Sequence, residues 1–271
     1  MSGGARLDLE LVRRGLARSR GHAKELIEAG DVSVGGTRAT KAATPVAADE
    51  AIDVREEGPR WVGRAAYKLV GALEAFGPDG LTVTGRRCLD VGASTGGFTQ
   101  VLLHHGAAHV TALDVGRGQL APEVAADDRV TERSGTTVRG LTPEDIGGTV
   151  DLLVADLSFI SLTLVLVDLA RLLDADGDAV VLVKPQFEVG RARLGKGGVV
   201  RFAADRAWAV TEVVRAAITV GLHPKALAPS PIEGAEGNVE YLLWLAPRAA
   251  ESIGWQALVR NADQVSVEGA S

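Results

Sequence analysis

The chain has 271 residues, 46% of them hydrophobic and 24% charged, and a net charge of -6. That length and apolar content suit one medium domain plus a small one and exclude a disordered chain. A single cysteine, Cys88, excludes a disulfide framework and a cysteine-based zinc site, and suits a reducing, cytoplasmic setting.

No apolar stretch follows Met1-Ser2-Gly3-Gly4, so no signal peptide is expected. The stretch Phe159 to Leu173 is broken by Asp168 and Arg171, and no run nears the roughly 18 apolar residues of a bilayer span. Charge is unevenly spread. Residues 1–48 hold eight Lys/Arg and five Asp/Glu, whereas the remainder holds 21 and 30. A basic head on an acidic body calls for a partner for the head.

In chain order, residues 5–47 read as a compact helical unit. Leu9, Leu11 and Val12 precede Arg13-Arg14-Gly15, with Gly15 as a helix stop. Ser19 caps a second helix, Arg20 to Ala29, whose Ala23, Leu26 and Ile27 are spaced three and four apart; Gly30 ends it. Val32 and Val34 alternate, and Gly35-Gly36 makes a hairpin turn. Residues 1–54 form this first domain. Residues 55–63 read as a linker of glycine, proline and charges, in which Trp61 is the one residue with surface to bury.

From residue 64 to 248 helix and strand alternate. A helix spans Ala65 to Phe76. Strands are predicted at Arg87–Val91, His109–Asp114, Val130–Arg133, Asp151–Ala155, Ala179–Lys184, Lys225–Pro229 and Glu240–Leu245, the last on an edge. Helical patterns fill Phe98–His105, Leu162–Leu173 and Ala203–Val220. Such alternation predicts a mostly parallel, doubly wound α/β sheet. Residues 249–271 add a short helix, Ala249 to Asn261, and a polar tail.

Between the first strand and its helix stands Asp90-Val91-Gly92-Ala93-Ser94-Thr95-Gly96-Gly97-Phe98. Glycines let the backbone turn sharply and approach a ligand. The spacing departs from the dinucleotide pattern, and no Lys-Ser/Thr follows to grip phosphate. Asp114 ends the next strand about 20 residues on, where a carboxylate accepts ribose hydroxyls. The pattern resembles the S-adenosylmethionine site of class I methyltransferases, with Asp90 near the amino-acid end of the cofactor. The residues read as touching the cofactor are Asp90, Gly92, Ala93, Ser94, Gly96, Gly97, Phe98 and Asp114. Glu132 to Thr137 offers no evident adenine ligand.

Asp156, Lys184 and Glu240 fall at or near strand ends, where open α/β sheets build their sites. Lys68 stands on the helix before the first strand. With Arg64-Ala65-Ala66-Tyr67-Lys68-Leu69 and the glycine loop, this Lys-Asp-Lys-Glu set resembles the FtsJ-like ribose 2′-O-methyltransferases. The head, from Arg6-Leu7-Asp8 to Lys41, resembles the S4 RNA-binding domain. Together with Asp156-Leu157-Ser158-Phe159-Ile160-Ser161 and Lys184-Pro185-Gln186-Phe187-Glu188, the whole is similar to the TlyA family of haemolysin/rRNA methyltransferases.

That resemblance implies a class I Rossmann-like sheet with helices on both faces, plus a small α+β S4-like domain. It implies S-adenosylmethionine as cofactor, and 2′-O-methylation of cytidine in the rRNA of both ribosomal subunits. A ribose hydroxyl is a weaker acid than a lysine ammonium, so a lysine base needs a neighbouring cation or desolvation to work. Lys184 would orient and deprotonate the hydroxyl. Lys68 would stabilise the developing oxyanion. Asp156 and Glu240 would hold the lysines.

Arg6, Arg13, Arg14, Arg18, Arg20, Lys24 and Lys41 would contact phosphates. Residues 184–201 carry a local charge of +4 and four glycines beyond Lys184, which suggests a mobile flap over the target nucleotide. Phe159 and Phe187 are candidates to stack the target base, against the alternative that they are packed. His22, His104, His105 and His109 show no metal-ligand pairing, so no metal is expected.

Two rival readings differ in class. A membrane-active haemolysin needs a membrane segment or a cationic amphipathic helix, and neither is present in the sequence. An RNA-binding ribosome-assembly factor would have lost the quartet or the glycine loop. Amino-group DNA methylases carry Asn/Asp-Pro-Pro-aromatic where this chain has Asp156-Leu157-Ser158-Phe159, and carbon-5 methylases need a reactive cysteine.

Overall fold

A computed structural model describes residues 4–17, 19–47, 49–54 and 59–248. The expected helix at Ala249 to Asn261, residues 55–58 of the linker and Arg18 lie outside the described residues. The chain divides into two compact units, Met1–Arg60 and Trp61–Ser271.

The first unit contains β1 (Ala5–Arg6), α1 (Leu7–Arg13), α2 (Arg20–Ala29), β2 (Val32–Val34), β3 (Thr37–Arg38), β4 (Pro45–Val46) and β5 (Ile52–Val54). Ser19 caps α2 by accepting the His22 N–H, and Gly30 closes it in the left-handed conformation. Gly35 and Gly36 both have positive φ, as a two-residue hairpin turn between β2 and β3 requires. Leu7, Leu11, Ala23, Ile27, Val32 and Val46 form its core.

The second unit holds α3 (Ala66–Phe76), β6 (Arg87–Val91), α4 (Gly97–His104), β7 (His109–Asp114), α5 (Pro122–Ala125), β8 (Val130–Ser134) and β9 (Val150–Ala155). It continues through α6 (Leu166–Leu172), β10 (Leu173–Val183), α7 (Pro185–Glu188), α8 (Ala203–Thr219), β11 (His223–Pro229) and β12 (Tyr241–Ala246). The strands order as β11-β12-β10-β9-β6-β7-β8. Pairs within β10-β9-β6-β7-β8 are parallel, while β12 runs antiparallel to both neighbours.

Alternation along each strand gives the sheet two apolar faces. Leu89, Val91, Leu153, Val181 and Leu243 pack with Leu166 and Leu169 of α6 and Val210 and Val213 of α8. Cys88, Val110, Leu152, Val180 and Trp244 pack with Leu69 and Phe76 of α3 and Val101 and Leu102 of α4. Trp61, read as a linker residue, joins this second face. Its ring meets His104 edge-on at 5.6 Å, and the Val62 N–H donates to Gln100 Oε1 at 2.8 Å.

Candidate active site

The strand order reverses between β6 and β9, and the parallel strands end along one rim. Ligands of open α/β sheets bind at such a reversal. The glycine loop leaves β6, Asp156 leaves β9 and Lys184 leaves β10. The last strand, expected at an edge, lies between β11 and β10 because β11 pairs on its outer side. Being antiparallel, β12 brings its beginning to the rim, with Tyr241 opposite Val183. Glu240 is therefore buried beside Lys184 rather than exposed at an edge.

Lys68 shares the inward face of α3 with Ala72 and Phe76, at helical spacing of four. Its Nζ donates to Glu240 Oε2 at 2.6 Å and to Asp156 Oδ2 at 3.4 Å. Lys184 Nζ lies 2.6 Å from Asp156 Oδ1, an ion pair without the alignment of a hydrogen bond, and donates to Ser158 Oγ at 3.0 Å. Lys68, Lys184 and Glu240 are only 5%, 6% and 2% exposed. All four quartet residues therefore converge, with Asp156 bridging the two lysines. Gln186 Nε2, 3.5 Å from Glu240 Oε1, was not foreseen.

The glycine loop serves packing as well as a ligand. Gly92, with φ +88°, leaves no room for a Cβ, which would stand 2.7 Å from the Asp156 carbonyl oxygen. The Asp156 N–H donates to the Val91 carbonyl, so glycine loop and quartet form one rim. At Gly96 a Cβ would meet Leu120 at 2.7 Å, and at Gly97 the Ala66 nitrogen at 3.1 Å. Phe98 is a correction. Its side chain is buried in the α3/α4 core, because helix periodicity turns it inward.

A cavity is lined by Ala93, Ser94, Ala112, Asp114, Gly116, Gln119, Leu120, Glu132 and Ser134. The Ser94 N–H donates to Asp114 Oδ2 at 2.8 Å and the Gly116 N–H to Oδ1 at 2.7 Å. Gln119 and Glu132 were missed, although Glu132 stands within the segment read as lacking a ligand. Strand register was the available signal. Ala112 pairs with Glu132 and Asp114 with Ser134, so all four share one face.

Asp90 is fully buried, and Oδ2 accepts from the Thr99 hydroxyl at 2.7 Å while Oδ1 has no partner. Burial pushes its carboxyl up to about 7, opposed by the Thr99 hydrogen bonds and reinforced by repulsion from Asp156 and Asp114. A buried anion-forming group with a free oxygen, beside two further carboxylates, suits a cationic ligand.

Phe159 has φ +63° and is 92% exposed, and its ring centroid lies 5.4 Å from that of Phe187. A bulky residue held in the left-handed region costs about 1–3 kcal/mol. Glu188 braces this segment by accepting from the Ser161 hydroxyl and the Leu162 N–H. The segment expected as a flap contacts α8. Arg193 lies 4.1 Å from the Trp208 ring and 3.6 Å from Asp205.

In the first unit, Arg6 and Arg20 grip the buried Asp8, and Arg13 and Arg14 grip Glu10. Arg14 departs from expectation. It also donates to the Glu50 and Ala47 carbonyls at 2.6 and 3.0 Å, so it staples the unit instead of presenting itself to a ligand. Lys24 and Lys41 are exposed.

The fold is that of a class I methyltransferase. The FtsJ-like methyltransferase family model matches residues 61–246, and the S4 domain model matches residues 5–52. A 16S/23S rRNA (cytidine-2′-O)-methyltransferase, TlyA, of Mycobacterium tuberculosis is 53% identical over 98% of both chains. Hemolysin A of Brachyspira hyodysenteriae is 37% identical over 88% of this chain and 98% of its own. The solved structure of a hemolysin-named protein from Streptococcus thermophilus is 34% identical, covers 100% of this chain and 99% of its own, and has a TM-score of 0.72. The chain belongs to the FtsJ-like methyltransferases and, among them, to the TlyA family.

Proposed function

We propose that this protein transfers a methyl group from S-adenosylmethionine to the ribose 2′-hydroxyl of cytidine in the rRNA of both ribosomal subunits. The observation that carries this reading is the buried Lys68–Asp156–Lys184–Glu240 network on the rim of the glycine loop. The substrate follows the relative at 53% identity. Ribosomal subunits as partners place the reaction in the cytoplasm.

The residues fit the cofactor. The unpartnered Asp90 oxygen suits its cationic amino-acid end, Asp114 its ribose, and Glu132, Gln119 and Ser134 the rest of the cavity wall. The backbone of Gly92, Ala93, Ser94, Gly96 and Gly97 closes around it. When bound, S-adenosylmethionine supplies a methyl group activated on a sulfonium.

Lys184 orients the 2′-hydroxyl and takes its proton, with Ser158 and Asp156 fixing the amine. Lys68, held by Glu240, directs positive charge at the oxygen as negative charge develops there. Burial excludes water and holds these groups in place. Phe159 offers an exposed face for the target base. Arg6, Arg13, Arg20, Lys24 and Lys41 contact phosphates from the S4 domain.

The test pairs wild type with Lys184→Ala, incubated with radiolabelled S-adenosylmethionine and unmodified ribosomal subunits. Label at a ribose resistant to alkaline cleavage, absent with the variant, is expected. No label on RNA, with cofactor bound, favours an assembly factor instead. No helix among the described residues is long and apolar enough to cross a membrane. Cofactor-independent leakage of liposomes by pure protein would revive the membrane reading.

A further inference from the structure

The motif Gly237-Asn238-Val239-Glu240-Tyr241 does more than supply Glu240. Asn238 is 4% exposed. Its Oδ1 accepts the Val200 N–H at 3.1 Å, and its Nδ2 donates to the Gly198 carbonyl at 3.2 Å. On the other side of Glu240, Tyr241 Oη accepts from Arg206 Nε at 3.2 Å. Arg206 Nη1 in turn donates to the Val200 and Arg201 carbonyls at 3.4 and 3.0 Å. Residues flanking Glu240 therefore hold one short stretch, Gly198 to Arg201, from two sides.

That stretch closes the glycine-rich loop between α7 and α8. Val189 and Val200 meet Leu194 and Ala209 in a small apolar cluster of their own. The Gly195 N–H donates to the Val199 carbonyl at 3.0 Å, and the Gly198 N–H to the Gly195 carbonyl at 3.1 Å. Ends that meet and an interior packed by its own side chains make this an Ω-loop. Arg191, Arg193 and Arg201 are exposed on it. The loop starts just beyond Lys184 and is fastened beside Glu240, so it connects both ends of the quartet.

We propose that Asn238 is a positioning residue for methyl transfer, a latch that ties the cationic loop to the segment carrying Glu240. Polyanion bound on the loop then bears on the Lys68–Glu240 pair through Asn238 and through Arg206–Tyr241. One carboxamide satisfies both an N–H and a carbonyl of the loop. Its removal leaves both without that partner, the Val200 N–H in a buried setting, and favours the open loop. The role in catalysis rests on the methyltransferase reading above; the latch itself does not.

The test uses full-length wild type, Asn238→Ala and Tyr241→Phe. Trypsin cleavage after Arg191 and Arg193 is followed by fragment mass, cofactor affinity by calorimetry, and kcat and KM by methylation of ribosomal subunits. Asn238→Ala is expected to raise loop cleavage about tenfold and lower kcat by a similar factor. Cofactor affinity should stay within about twofold. Tyr241→Phe keeps its packing and is expected to shift the same two readouts about threefold, which carries the test if Asn238→Ala does not fold. Loop cleavage equal to wild type in both variants overturns the latch. Raised cleavage with wild-type kcat and KM overturns its role in catalysis. A wild type that methylates no RNA overturns the proposed function and the positioning role together, while the cleavage result still decides the latch.

Discussion

The first unit and the rim quartet of the second hold their carboxylates under different cations. In the first, Asp8 lies under Arg6 and Arg20, and Glu10 under Arg13 and Arg14. In the second, Asp156 and Glu240 face Lys68 and Lys184. Arginine grips with a planar fork and keeps its proton, whereas lysine can release one. The first pairing suits fixed structure and the second suits proton transfer. Asp90 has no cationic partner among the described residues. The arginines, through their hydrogen bonds first, hold Asp8 and Glu10 down at about 2, while burial pushes Asp90 up to about 7. All three are shielded from solvent, but burial is the largest influence at Asp90 alone, while the arginine hydrogen bonds outweigh it at Asp8 and Glu10.

The sharpest way to break this comparison is Lys184→Arg. It keeps a positive charge beside Asp156 but cannot serve as a base. Single-turnover methyl transfer should fall by about a thousandfold or more, with cofactor binding retained. Activity near wild type would remove proton transfer from the role of Lys184.

Next in size is the pH dependence set by Asp90. A cationic ligand favours its carboxylate, so binding releases a proton below about pH 7. Cofactor affinity measured by calorimetry should rise about tenfold per pH unit up to that point and level off above it. Asp90→Asn should bind more weakly and show no such slope. In the ligand-free protein the sign for stability is opposite to that of a paired carboxylate. The folded state holds the proton more tightly, so stability falls as pH rises from about 4 to about 7. Thermal midpoints of wild type that do not fall over this window, relative to Asp90→Asn, would show that the group is not strained.

The arginine-paired carboxylates should behave in the reverse sense. Their contribution is present above about pH 4 and is lost as pH falls toward about 2. Hydrogen exchange of α1 and α2 in acid should follow that window in wild type and lose part of it in Asp8→Asn. The smallest effect is expected at the exposed lysines. Lys24→Ala or Lys41→Ala should reduce the salt dependence of RNA binding by about one unit of slope each. An unchanged slope in both would take these lysines off the RNA face.

Local pattern made much of this fold legible. Helix Arg20–Ala29 and strands Arg87–Val91 and His109–Asp114 stand at the boundaries that capping, alternation and glycine punctuation imply. The helix expected over Leu162–Leu173 is split, with a 3₁₀ turn at Leu162–Leu164 before α6, where Ser161 caps the turn. Phe98 was misread because loop proximity says nothing of which way a helical side chain points. Glu132 was missed because that part of the cavity wall depends on the pairing of β7 with β8, and Gln119 because it reaches the cavity from the connection after β7.

The sequence alone determined the elements and the residue types at their ends, since periodicity, capping and glycine placement are local properties. Only the tertiary structure decided that Lys68 meets Glu240 at 2.6 Å across 172 positions of chain. The direction and place of the last strand control that meeting. An antiparallel strand inserted between two others brings its first residue to the rim, and no local periodicity encodes strand order.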